Sequence, residues 1–225
     1  MNYPIEGLNH SYLGSSVYAL LREALITGRF KPDDKLRIRD LAQQLGTSVT
    51  PVRDAILQLA KEQALVLKTP KDIRVPVLGK EQYLEIRSIR LALEGLAAET
   101  AATRATAQEL ALLEDNINAN LRAIKSGDFV EALKLNQAFH FALADIAAMP
   151  LLRSFLDSLW MRTGPLIAQA YHNFSEQIAI EHHWEVLGAL KKGDGVASRA
   201  AICADILDGN EHLLAFIERN DLPEK

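Results

Sequence analysis

Apolar positions recur at three- and four-residue spacing along nearly the whole 225-residue chain, which is the pattern of helices with one buried face. Val17, Leu20, Leu21, Ala24 and Leu25 predict a first helix from about Ser16 to Thr27, with Gly28 as its stop. Residues 1–14 are expected to form a loose arm. Leu41, Ala42 and Leu45 make one face of a second, short helix that Gly46 closes, and Thr50-Pro51 reads as a cap followed by a first-turn proline. A third helix therefore starts only a few residues later. Along it Val52, Ile56, Leu59 and Ala60 face inward, leaving Arg53, Gln58 and Lys61 to face a partner. The rhythm then changes: Leu65-Val66-Leu67 and Ile73-Arg74-Val75, on either side of Pro70-Lys71-Asp72, predict a small hairpin. Helix, tight turn, helix and hairpin together make a winged helix-turn-helix.

Beyond Pro76-Val77-Leu78-Gly79 no run of strand character has convincing length. Thr106-x-x-Glu109 and Asp128-x-x-Glu131 carry the capping-box pattern and Gly127 ends the helix between them, which predicts helices over about 80–103, 107–126 and 129–148. Pro150 starts another to about residue 162, Thr163-Gly164-Pro165 is expected to break or kink it, and a segment to about Tyr171 continues. Ser175 is the expected cap of a helix to about Lys192, and Lys192-Gly193-Asp194-Gly195 a turn before the last long helix. The expected fold is mainly α: an N-terminal winged helix-turn-helix domain over 1–77 and a C-terminal all-α antiparallel bundle of six or seven helices over 78–225.

Several stretches, taken together, resemble one family. LREALITGRFKPDDKLRIRDLA, TPVRDAILQLAKE, IRLALE, NQAFH and EHHWEVLGAL span nearly the whole chain, and they resemble the GntR family of transcription regulators, in the FadR-type branch whose effector domain is the helical FCD domain. The family commonly has glycine where Ala64 and Asp72 stand here.

Charge sharpens this picture. The net charge of −4 argues superficially against a nucleic-acid partner, but residues 1–75 hold 11 Lys and Arg against 8 Asp and Glu, and residues 76–225 hold 14 against 21. A basic head on an acidic body fits DNA binding confined to one domain. The start MNYPIEGLNH lacks a secretory pattern and no apolar run reaches membrane-spanning length, so a cytoplasmic protein without membrane contact is expected. The one cysteine, Cys203, excludes an internal disulfide and reads as a small packing residue.

A helix that enters the major groove needs short polar groups and a forked cation on its first turns. Thr47, Ser48 and Thr50 supply the former, and Arg53 is the best placed arginine, with Arg39 opening the preceding helix. The resemblance implies operator contact by Arg39, Ser48, Val49, Thr50 and Arg53. In the wing, Lys71 and Arg74 are candidates for the minor groove or backbone, opposed by the phosphate-repelling Asp72.

In the body, Asn136 and His140 stand four apart and project from one helix face, a spacing that can chelate. His183 and Asp205 follow at separations of 43 and 22 residues. The FCD resemblance implies a metal site built from Asn136, His140, His183 and Asp205, with Asp205 where a third histidine is usual and His212 an outside candidate for that histidine. Such donors suit Zn, Ni or Mn. The competing reading makes His140 a hydrogen-bonded core histidine and pairs Asp205 with an arginine. Arg90 and Arg162 match arginines that in the family face a ligand cavity, where a guanidinium fork and a metal would hold a small carboxylate; the alternative pairs Arg90 with Glu94 across one helical turn. Trp160 and Trp184 are candidate cavity walls, and His182 a solvated neighbour.

The expected function is a homodimeric, ligand-responsive regulator of double-stranded operator DNA, most simply a repressor, with no catalytic residues. The rival is a metal-dependent hydrolase or isomerase with Glu181 or Glu185 as base. Against it, no HExxH-type motif sets an acid beside the ligands, and catalysis leaves the head unexplained.

Overall fold

The computed structural model describes residues 13–171 and 180–219, so the expected loose arm and the Ser175 cap lie largely or wholly outside the described residues. Two compact units emerge: Met1–Leu78 with Trp160–Gln169, and Gly79–Leu159 with Ala170–Lys225. The main division falls between Leu78 and Gly79. The return of residues 160–169 to the first unit is new, because two uninterrupted domains, 1–77 and 78–225, were expected.

The first unit is built on α1 (Leu13–Ile26), β1 (Lys35–Leu36), α2 (Ile38–Gln44), α3 (Val49–Lys61), β2 (Val66–Thr69) and β3 (Asp72–Arg74). Val17, Leu21 and Leu25 of α1, Leu41 and Leu45 around α2, and Val52, Ile56 and Leu59 of α3 are all buried, together with Phe30. Each such side chain contributes about 1.5–3 kcal/mol relative to exposure, and together they fix which faces of α2 and α3 remain outside. Gly46 ends α2 at φ 63°, a left-handed conformation that would strain a side chain. The start of α3 differs from expectation. Its cap is Ser48, without a side-chain hydrogen bond, so Thr50 and Pro51 lie inside the first turn. The turn into the wing passes through Gln63 at φ 58°; Ala64, buried and not left-handed, needs no glycine there.

The wing is a three-stranded antiparallel sheet of order β1-β3-β2. Leu36 pairs with Ile73 on one side and Leu67 with Ile73 on the other, with an irregularity between Leu67 and Thr69. Two-residue β1 is too short to show a period-two pattern, which is why the sequence predicted only the hairpin.

The second unit holds α4 (Lys80–Ala101), α5 (Ala107–Ser126), α6 (Phe129–Ile146), the first half of α7 (Pro150–Tyr171), α8 (Glu181–Lys192) and α9 (Gly195–Arg219). Thr106 and Glu109 form a full reciprocal capping box, whereas Asp128 accepts from the Glu131 amide without a return bond. The partners of α4 run in reverse order along α9: Lys80 with Glu218 at 2.6 Å, the Cys203 thiol with the Leu91 carbonyl at 3.7 Å and Glu99 with Arg199 at 2.8 Å. The two helices are antiparallel neighbours, and Cys203 is a packing residue at their contact, where a Cβ on Gly95 would come within 3.2 Å of its sulfur.

Helix α7 does not break at Thr163-Gly164-Pro165 but runs through Pro165. An internal proline forfeits a backbone hydrogen bond at a cost of about 3 kcal/mol, and the burial of Trp160, Met161, Thr163, Leu166 and Ile167 around it offsets that. Within the first unit this half of α7 crosses the end of α1 closely: a Cβ on Gly164 would lie 2.5 Å from the carbonyl oxygens of both Leu25 and Ile26. Only glycine allows that approach.

Candidate nucleic-acid interface and metal cluster

The outer face of α3 presents Thr50, Arg53, Asp54, Leu57, Gln58 and Lys61, with Ser48 exposed just before it, while Val52, Ala55, Ile56 and Leu59 are buried. Val49 is half-buried at the helix start. With no side chain capping Ser48's helix, its first-turn N–H groups and the positive end of its dipole are available to a phosphate. Arg39, at the start of α2, and Arg53 are both exposed, and among the described residues no ion pair engages either one. Asp40 faces Arg37 at 4.0 Å. Gln58 donates to Glu62 at 3.1 Å, and Glu62 also accepts from the Tyr18 hydroxyl at 2.6 Å.

In the wing the expected roles divide. Lys71 is exposed. Arg74, expected at the DNA, is half-buried and committed to the head itself: its Nε donates to Asp72 at 3.0 Å and its Nη1 to Asp33 at 2.9 Å. Lys35 lies 3.3 Å from Asp72. The phosphate-repelling charge expected of Asp72 is thus balanced by two cations within the head.

The bundle unit brings His140, His183 and Asp205, three residues expected as metal ligands, together. One ligand atom each of His140 on α6, His183 on α8 and Asp205 on α9 lie within 4.8 Å of one another. Both imidazoles are buried, and Asp205 is 13% exposed. The Asp205 carboxylate is 3.2 Å from His140 Nε2 and 3.5 Å from His183 Nε2. Asn136 sits one turn before His140 on α6 and is half-buried. The side chain of His212 lies outside the described ones.

A residue that motif reading missed completes the cluster. Glu94, fully buried on α4, accepts from His140 Nδ1 at 2.5 Å and from Arg90 Nε at 2.6 Å. Arg90 and Glu94 therefore pair across one turn, as the alternative reading had it, but in the interior and not at the surface. The signal was available: Tyr83, Ile86, Arg90, Ala97 and Ala101 share the buried stripe of α4, and the same spacing puts Glu94 on it. The Arg90 fork thus holds Glu94, where a ligand carboxylate was expected. Arg162 belongs to the stretch of α7 that groups with the head, as does buried Trp160. Trp184 is 39% exposed, and His182 bridges Glu185 and Asp208 at 2.7 and 2.8 Å.

The electrostatics follow from this packing. Burial alone would push His140 down, but the Glu94 charge and the Asp205 carboxylate 3.2 Å from Nε2 raise it to about 9. Burial takes His183 down to about 4, with only partial help from Asp205. Burial would raise both carboxyls, yet Arg90 and His140 hold Glu94 at about 2, and the two imidazoles hold Asp205 at about 2. Neither ring nitrogen of His183 has a hydrogen-bond partner among the described residues, although an unmet buried polar group costs about 1–3 kcal/mol. Its ring is stacked on Phe139 with centroids 4.0 Å apart. Two neutral-capable imidazoles and one carboxylate, one imidazole otherwise unsatisfied, are a donor set that fits a divalent cation.

Comparison with known proteins identifies the two units. Residues 13–75 match the family model of bacterial regulatory proteins of the gntR family, and residues 85–208 match the FCD domain. The HTH-type transcriptional regulator McbR of Escherichia coli K12 is 33% identical over 210 residues, covering 92% of this chain and 95% of that protein. The solved structure titled E. coli McbR/YncC superposes with a TM-score of 0.83 at 32% identity, covering 94% of this chain and 99% of that one. A GntR regulator structure from Rhodococcus sp. RHA1 shares the fold at a TM-score of 0.76 and 20% identity, over 90% of this chain and 97% of that one. These matches decide against the hydrolase or isomerase reading. A winged helix-turn-helix head with an exposed α3, followed by a helical FCD domain, places this chain in the GntR family as a DNA-binding transcriptional regulator of the FCD type.

Proposed function

We propose that the chain is a homodimeric, ligand-responsive regulator, most simply a repressor, acting on a palindromic operator in the cytoplasm, with a divalent cation and a small carboxylate bound in its helical domain. The observation that carries this reading is the convergence of His140, His183 and Asp205 within 4.8 Å inside the bundle unit, in a chain whose head keeps Arg39 and Arg53 exposed. Two-fold symmetric heads match two half-sites one helical turn apart. Arg53 supplies the forked contact to a base edge, Ser48, Val49 and Thr50 lie at the backbone approach of α3, and Lys71 adds a phosphate contact from the wing.

In the bundle, His140 and His183 donate imidazole nitrogen, Asp205 a carboxylate oxygen, and Asn136 an additional weak amide oxygen one turn from His140. A bound Zn, Ni or Mn ion would supply a Lewis-acidic centre for the oxygens of a small organic acid. Arg90 pairs with Glu94, and the donor cluster would carry most of the recognition. His140 must give up its Nε2 proton when a cation binds, and uptake therefore releases a proton. Ligand binding changes operator affinity by linkage, to the extent that the acid favours one arrangement of the heads.

Two measurements test the reading. Elemental analysis of purified protein should find divalent metal, and His140→Ala combined with His183→Ala should abolish it with unchanged helical content. A thermal-shift screen of small carboxylates, with and without Zn, Ni or Mn, should give stabilisation that needs both. Equal metal content before and after mutation would remove the site.

A further inference from the structure

The two histidines of the cluster are held in different ways. His183 is stacked on Phe139, its ring planes 15° apart, and makes no hydrogen bond among the described residues. His140 is tethered: Nδ1 lies 2.5 Å from Glu94 Oε2, and Glu94 is itself gripped by Arg90 through Nε at 2.6 Å and Nη2 at 3.5 Å. All three tethered side chains are buried. In the sequence Glu94 stands only as a helical partner for Arg90.

We infer that Glu94, backed by Arg90, is the positioning residue of the bundle's cation site: it takes the Nδ1 proton of His140 as a hydrogen bond and so aims Nε2 at the point shared with His183 and Asp205. The inference rests on the cation reading of the preceding subsection. An imidazole has two nitrogens, and the one that donates to a fixed acceptor leaves the other as the ligand. With Glu94 at Nδ1, the tautomer that remains on losing one proton carries its hydrogen there and its lone pair at Nε2, on the Asp205 side. A carboxylate in that place also makes the imidazole a better donor. Glu94 touches no reacting atom. The same chain gives buried Arg90 a part: its charge keeps Glu94 ionised, and its two donors fix the rotation of the carboxylate.

The test uses the full chain and Zn²⁺ alone, by competition with a chromophoric chelator, and Co²⁺ for its absorption bands. Glu94→Gln keeps the shape but removes the charge, and Arg90→Met with Glu94→Met replaces the whole buried pair by apolar groups, a change that buried ion pairs often tolerate. Circular dichroism shows which variant is folded. Zn²⁺ affinity should fall by about 10- to 100-fold in each folded variant, and the Co²⁺ bands should shift because His140 is no longer held. His183→Ala should lose the cation altogether while retaining the His140–Glu94 pair. If wild type binds Zn²⁺ but the folded Glu94 variants match it in affinity and in Co²⁺ spectrum, Glu94 has no positioning role and the cation site stands without it. If wild type itself takes up neither ion, the cation reading falls and the role of Glu94 with it.

Discussion

The head and the bundle put their chemistry in opposite places. In the head, Arg39 and Arg53 are exposed and free of ion pairs among the described residues, while the apolar sides of α2 and α3 do nothing but pack. In the bundle, Arg90, Glu94, His140 and His183 are buried, and the charges of the first three answer one another. A surface that must meet DNA gains from cations that have no competing partner, because each internal ion pair would have to be broken on binding. A buried site has no such freedom. Every charge there needs a partner in the fold, so at the proposed cation site binding and stability would rest on the same residues.

That contrast can be tested by substitution, and the largest effect belongs to the interior. Glu94→Ala leaves Arg90 and His140 buried beside an empty site, and should cost about 3–5 kcal/mol of folding stability in denaturant titration. A loss no greater than that of a surface substitution would mean that water reaches the cluster.

Next comes pH. In metal-free protein His140, raised from 6.5 to about 9, contributes stability that is fully present below 6.5 and is lost as pH rises through about 9. His183, lowered from 6.5 to about 4, acts the other way: the unfolded chain binds its proton first, so stability climbs between about 4 and 6.5. Melting temperature should therefore peak near pH 6.5, with the alkaline limb removed by His140→Gln and the acid limb by His183→Gln. A flat profile over that range in both variants and wild type would show that the two imidazoles are solvated. Zn²⁺ uptake should strengthen as pH rises toward 9, since His140 has to lose its proton.

In the head the effects are smaller and appear in binding, not in folding. Arg53→Ala should weaken specific operator binding by on the order of 1–3 kcal/mol, relax preference at one position of each half-site, and leave the melting temperature alone. Anisotropy titrations on matched and mismatched duplexes read all of this. Smallest is Arg74→Ala. Because Arg74 is engaged with Asp72 and Asp33, its loss should barely alter the salt dependence of DNA binding, whereas Lys71→Ala should lower the slope by about one ion. The opposite ranking would put Arg74 on the DNA.

The same contrast explains what was legible in the sequence. Helices α1 to α6 followed from apolar spacing and from the Gly46, Gly127 and Thr106 end signals, which act within a few residues. Arg53 could be placed on the outer face because its inward neighbours Val52 and Ile56 are local. The commitments of Arg74 could not, since Asp33 is 41 residues away. The continuity of α7 was hidden for the same reason: Pro165 signals a break locally, and the apolar burial that offsets it is made within the fold. In the bundle, the spacing of Asn136 and His140 pointed to a ligand face, but Glu94 lies 46 residues before His140. Only the buried stripe of α4 could have marked it, and a carboxylate there reads as an ordinary helical partner for Arg90 until the fold brings α6 alongside.

The most direct test of the link from bundle to head is an anisotropy titration of the full chain on its operator duplex, found by in vitro selection, with the bundle site loaded with Zn²⁺ or stripped by a chelator. Wild type should bind the operator with clearly different affinity in the two states, and His183→Ala should give one isotherm under both. Coincident isotherms for loaded and stripped wild type would contradict a bundle that governs the head.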